Sequence, residues 1–165
     1  MKRVIRRNTF ETNSSSTHSV TIGNHTHEDS YLEIEEYCDK GDYEDTIVID
    51  TVGFCGFCDH NTQQEKLAYL MQQIAYINGF FDLFWRSGNI EEQLEEYYNC
   101  DDFRELEEAV CEYTGAKHLR FGKLDGYIDH DSIIYDIYEL KDEIGGDYIN
   151  FIFSPDSYVH FEFNG

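Results

Sequence analysis

The stretch Thr62-Gln63-Gln64-Glu65-Lys66-Leu67-Ala68-Tyr69-Leu70-Met71-Gln72-Gln73-Ile74-Ala75-Tyr76-Ile77-Asn78-Gly79 decides how the rest of the chain is read. Thr62 with Glu65 three residues later is the pattern of a capping box, where each side chain satisfies an amide that the first helical turn leaves unpaired. Leu67, Leu70, Met71, Ile74 and Ile77 keep one face apolar at helical spacing, and Gly79 supplies the stop. Upstream, Thr46–Val52 (TIVIDTV) is β-branched and nearly continuous, the mark of a buried strand. A strand and a long helix that both need covering are the start of a mixed core.

Working outward, Val4–Arg7 and His18–Ile22 read as short strands around the polar loop from Glu11 to Thr17. Ser30–Cys38 has apolar residues at helical spacing. On the other side, the spacing predicts a helix over Ile90–Tyr98, capped by Asn89 with Glu92. Another is expected over Phe103–Tyr113, with Asp102 and Glu105 at its start and Gly115 past its end. Lys117–Phe121 and Gly126–Asp129 read as a hairpin across Gly122–Asp125. Ile133, Ile137, Leu140 and Ile144 suggest a helix ending at Gly145-Gly146. Asp147–Phe153 fits helix and strand equally. Val159, Phe161 and Phe163 alternate with polar residues, as a half-exposed strand does. Without a regular βαβ rhythm the expected class is α+β: a small, mostly antiparallel sheet packed with about four or five helices. No linker divides residues 1–165, so one acidic domain is expected.

The formal charge is −22, and its distribution matters more than its size. Four of the twelve basic residues (Lys2, Arg3, Arg6, Arg7) lie in the first seven positions, leaving eight to face all 34 acidic residues. Such a surface repels phosphate backbones and anionic membranes and attracts basic clefts. Between Glu91 and Glu112, ten carboxylates stand within 22 residues, relieved only by Arg104. Glu91, Glu92, Glu95, Glu96, Glu107 and Glu108 lie off the apolar stripes and are the expected partner-binding residues. The plain alternative is that acidity only keeps the protein soluble. No run of about 18 apolar residues is present. The basic start is followed by TFETNSSS rather than by an apolar segment, unlike a secretory signal. Five cysteines, an odd number, then point to reduced thiols in a cytoplasm.

Gly53-Phe54-Cys55-Gly56-Phe57-Cys58-Asp59-His60 is the sharpest local signal. Two cysteines separated by two residues can turn both sulfurs toward one zinc ion at about 2.3 Å. The start of a helix just beyond favours thiolates. His60 is a third candidate ligand, and Cys38, Cys100, Cys111 or His118 a fourth; Cys111 is preferred. The competing reading is that small, soft cysteines pack a strand-to-helix corner; a redox CxxC is a third. A more diffuse constellation joins Glu11 and His18 to Asp129-His130, which would serve a metal-dependent hydrolase or nuclease if their strands are neighbours. Ser/Thr/Asn-rich loops and His–Asp pairs also arise simply by hydrogen bonding. Phosphate-binding loops, dinucleotide fingerprints and serine-hydrolase elbows are missing.

Arg6-Arg7-Asn8-Thr9-Phe10-Glu11-Thr12-Asn13-Ser14-Ser15-Ser16-Thr17-His18-Ser19 resembles the start of a group of small proteins encoded by phages and prophages of Firmicutes. The similarity returns at Lys66–Leu70 and at Gly126–His130. In that group the loop before the long helix has Gly-aromatic character without paired cysteines, so Cys55 and Cys58 depart from it. The group carries no defined activity to transfer, but its setting in mobile elements implies a host-defence antagonist. The acidic composition is similar in type to anti-CRISPR proteins that block basic nucleic-acid channels. The resulting expectation is a non-catalytic, zinc-stabilised inhibitor of a nucleic-acid-handling enzyme, with Cas9 the leading partner. It would bind neither nucleic acid nor membrane directly.

Overall fold

The computed structural model describes residues 16–22, 34–35, 45–54 and 58–163. The fold is α+β, but its strands form two sheets rather than one. Strands β1 (Ser16–Ile22), β4 (Cys58–His60) and β6 (Ser157–Phe163) form an antiparallel sheet in the order β1-β6-β4. Strands β2 (Ile34–Glu35), β3 (Thr46–Ile49) and β5 (His118–Phe121) form the second, in the order β2-β3-β5. There β2 runs antiparallel to β3, and β5 runs parallel to it. Three of the four strand pairs are antiparallel, in keeping with the mostly antiparallel character expected, and β3–β5 is the parallel exception.

Helix α1 (Gln63–Ile77) is the centre of the molecule, and every residue from Lys66 to Tyr76 is buried. Its capping box forms as the sequence implies: Thr62 Oγ1 accepts from the Glu65 amide at 3.1 Å, and Glu65 Oε2 accepts from the Thr62 amide at 3.0 Å. A helix covered on all sides must satisfy its polar side chains internally. Gln72 does so by imitating a strand: its amide donates to the Val52 carbonyl (3.0 Å) and its oxygen accepts from the Val52 amide (2.8 Å). Gln73 repeats this with the Ser132 carbonyl (2.9 Å) and the Ile134 amide (3.0 Å). Lys66 donates to the Ser154 carbonyl and the Ser157 hydroxyl, both at 2.8 Å. Burial pulls its pKa down to about 8.

The other helices close around α1. They are α2 (Asp82–Trp85), α3 (Ile90–Asn99), α4 (Asp101–Thr114), α5 (Ile137–Glu143) and α6 (Tyr148–Phe153). Asn89 caps α3, Asp136 caps α5 and Asp147 caps α6, each through its own side chain. The Asp147 cap resolves the segment whose periodicity fitted either state. Helix α2 has no counterpart in the sequence reading.

Two expectations need correction. Ile34 and Glu35 are strand, not helix, because pairing with Ile47 and Thr46 outweighs local spacing; the rest of Ser30–Cys38, like Val4–Arg7, lies outside the described residues. The hairpin across Gly122–Asp125 does not form. Instead the chain from His118 to Asp129 runs beside residues 46–54, through Gly122 N to Ile49 O, Thr51 N to Lys123 O and Phe54 N to Tyr127 O. Gly126 makes this approach possible, since a Cβ there would meet the Val52 backbone at 2.4 Å.

Candidate functional site

Helices α3 and α4 each bury a narrow stripe and leave the rest outside. Tyr97 of α3, and Phe103, Leu106 and Val110 of α4, are buried. The Tyr97 hydroxyl donates to the Met71 carbonyl of α1 at 2.8 Å, fixing α3 on the core. Opposite these stripes, Glu91, Glu92, Glu95, Glu96 and Glu108 are exposed. Acidic residues in a first turn favour a helix through its dipole, which accounts for Glu91 and Glu92. It does not account for Glu95 and Glu96, one turn beyond, which set like charges at i and i+4 and cost helix stability. Nor does either helix carry a basic residue in its last turn. These charges are not arranged for the stability of their own helices.

Three of the described bases are paired with other carboxylates. Lys141 pairs with Glu105 (2.7 Å), Lys117 with Asp45 (2.6 Å) and Arg120 with Glu107 (2.6 Å). Among the described residues no ion pair reaches Glu91, Glu92, Glu95, Glu96 or Glu108.

Glu107 stands apart from its neighbours. Its side chain is 19% exposed and also accepts from the Leu119 amide at 2.9 Å, so it ties α4 to β5. Arg120 lies over the Tyr98 ring, 4.5 Å from its centroid, and the Tyr98 hydroxyl accepts from the Phe121 amide. Glu107 therefore belongs to a α3–α4–β5 joint rather than to the open acidic surface. Helical spacing alone placed it on the outer face, because the strand that covers it arrives from later in the chain.

Of the candidate zinc ligands, Cys55 lies outside the described residues, and of Cys58 only the backbone is described. Cys58 and His60 belong to β4, opposite Phe161 and Val159 of β6. His60 is buried, edge-on to Phe54 with centroids 4.6 Å apart, and its Nδ1 meets Glu65 Oε1 at 3.2 Å. Burial raises the Glu65 carboxyl, but hydrogen bonds from His60 and Thr62 outweigh it and hold the pKa at about 2. Cys111 is half-buried on α4 beside Glu107 and Arg120. Burial, then the Glu107 charge, pushes its thiol up to about 11, a poor setting for a thiolate ligand. Cys100 is likewise half-buried with its thiol raised by burial, and His118 is exposed near Glu107. Cys38 lies outside the described residues.

Asp129, His130 and Asp131 are the one set of three or more metal-capable side chains that converges among the described residues, with ligand atoms within 4.8 Å of one another. His130 is 81% exposed, with Nδ1 2.9 Å from Asp129 Oδ1 and Nε2 3.0 Å from Asp131 Oδ1. A protonated ring finds an acceptor for each N–H there; a divalent cation on one nitrogen would find carboxylate oxygens alongside. Strand β1, which carries His18, runs beside this turn of 3-10 helix (His130–Ser132). Glu11 lies outside the described residues. The structure adds Asp131, which follows His130 directly in the sequence Asp129-His130-Asp131, to the expected pair of Asp129 and His130.

No protein-family model matches the chain, and comparison with curated proteins and with solved structures finds no match either. Among the described residues no helix is long and apolar enough to cross a membrane.

Proposed function

We propose that this chain is a non-catalytic binder that sets the acidic surface of α3 and α4 on a basic, nucleic-acid-binding surface of another protein in a bacterial cytoplasm. The observation that carries the reading is the set of exposed carboxylates at Glu91, Glu92, Glu95, Glu96 and Glu108, on two helices whose single basic residue is Arg104. Several such groups brought to an arginine- and lysine-lined channel imitate a phosphate track and displace its counterions. Cas9 is the partner to try first, on the strength of the phage-type N-terminal resemblance. The experiment is guide-loaded Cas9 binding and cleaving target DNA with and without the protein. Loss of DNA binding that recovers as salt rises is the expected result. Unchanged binding and cleavage at saturating protein rejects Cas9.

Zinc held by Cys55 and Cys58, with His60 and a fourth ligand, is part of the same proposal. The His60–Glu65 contact supports it, since a carboxylate behind one imidazole nitrogen is how ligating histidines are commonly oriented. Burial raises the thiols of both Cys111 and Cys100, which disfavours the thiolate at each until a metal binds. Elemental analysis should find about one zinc per chain, and chelation should lower the melting temperature. Protein that folds fully without zinc removes this part.

The second reading is a metal-dependent hydrolase or nuclease using His18 and Asp129-His130, favoured by the convergence at His130 and the nearness of β1. Manganese-dependent cleavage of nucleic acid that His130→Ala abolishes would establish it in place of the binder.

A further inference from the structure

Helix α2 is a single turn with two faces. Leu83 and Phe84 are buried beneath it, whereas Phe81 and Trp85, one turn apart, are 38% and 71% exposed. An amphipathic turn ordinarily sends polar side chains outward; this one sends out the only tryptophan of the chain. The corner that holds it is fixed on several sides. The Ser87 amide donates to the Asp82 carbonyl (3.2 Å) and its hydroxyl to Asp82 Oδ1 (2.6 Å). Arg86, at a φ of 52°, turns its Nε to the Leu124 carbonyl at 3.2 Å. Gln93 of α3 donates to the Ser87 carbonyl at 3.1 Å, so the corner is tied to the acidic helix. Trp85 thus stands on an ordered turn against α3, whose first turn carries Glu91 and Glu92.

We propose that Trp85, with Phe81 beside it, is the aromatic anchor of the acidic surface and receives an arginine side chain of the basic partner; this rests on the binder reading above. A guanidinium plane stacks on an indole face while its N–H groups pair with carboxylates, a combination an ammonium group matches poorly. A large ring held on a rigid turn loses little freedom on binding, which is where truncations at interfaces cost most. Charge argues against the other occupants. A second copy of the chain brings its own −22, while nucleobases and lipid headgroups bring phosphates toward Glu91 and Glu92.

The test uses labelled nona-arginine and nona-lysine peptides at low salt, with the full-length protein and its Trp85→Ala variant. Peptide anisotropy reports binding, and the emission of the single tryptophan reports contact. Nona-arginine should change that emission saturably. Trp85→Ala should weaken nona-arginine by about threefold or more and nona-lysine by much less. Trp85→Phe, which keeps a ring, should fall between, and unchanged circular dichroism shows that each variant folds. Peptide binding with unaltered emission and no discrimination between the variants overturns the anchor and leaves the acidic surface standing. Failure of both peptides to bind overturns the acidic surface and the anchor with it.

Discussion

Helix α1 and the α3–α4 pair handle polar side chains in opposite ways. On α1, Lys66, Gln72 and Gln73 point into the molecule, and each finds its hydrogen-bond partners on another segment. On α3, Glu91, Glu95 and Glu96 are exposed, and no ion pair reaches them among the described residues. The formal charges mislead in both places. The uncharged glutamines tie distant segments together, while Glu91, Glu95 and Glu96 make no such link among the described residues. Inside the core, polarity stabilises this fold where it is paired, and the outer carboxylates remain available for another task.

The sharpest way to break that contrast is Gln72→Ala. It leaves the Val52 amide and carbonyl without their partner, and each buried unpaired group costs about 1–3 kcal/mol. A loss of about 2–5 kcal/mol is expected from the urea midpoint. A loss below about 1 kcal/mol would mean that water replaces the amide, and that the clamp is incidental.

Lys66 sharpens the contrast through pH. Its folded pKa of about 8 lies below the ordinary lysine value of 10.5, so between these the unfolded chain binds more protons. Stability should therefore rise as pH increases from about 8 toward 10, by about 1–2 kcal/mol. From about 9 the thiols of Cys100 and Cys111, and above about 10 the buried tyrosines Tyr69, Tyr97 and Tyr148, act the other way, since burial raises their pKa values and the unfolded chain ionises first. Melting curves at pH 7.5, 8.5 and 9.5 should show the native chain gaining stability relative to Lys66→Met as pH rises. A rise that survives the substitution assigns it to another group.

The smallest expected effects separate Glu107 from its neighbours. Glu107→Gln should cost about 1–2 kcal/mol by weakening the link to Arg120 and the Leu119 amide. Glu95→Lys with Glu96→Lys should raise stability by about 0.5–1 kcal/mol, by turning two like-charge pairs with Glu91 and Glu92 into opposite-charge ones, while weakening partner binding. Equal stability losses would erase the division between joint and surface.

Local signals were legible wherever a few consecutive residues settle the outcome. The Thr62–Glu65 box, the Asn89 cap and the Val159–Phe161 alternation all stand in the structure as the sequence implies. What escaped depends on distant chain. The parallel course of His118–Asp129 beside residues 46–54 joins segments some 70 residues apart, while Gly122–Asp125 carries ordinary turn composition. Asp82–Trp85 is too short to show a period, and Glu107 differs from Glu95 only because β5 lies over it. For the site, the open carboxylates could be read from helical spacing. The hydrogen bond between His60 and Glu65 joins residues on either side of the cap, and its significance depends on the burial of the ring.

Trp85 has a practical consequence for all of these measurements. A ring already mostly in water in the native state meets nearly the same solvent after unfolding. Its fluorescence should be almost silent through a denaturation curve, however cooperative the transition. Unfolding is better followed by tyrosine absorbance or circular dichroism, leaving the tryptophan as a native optical label for whatever docks beside it.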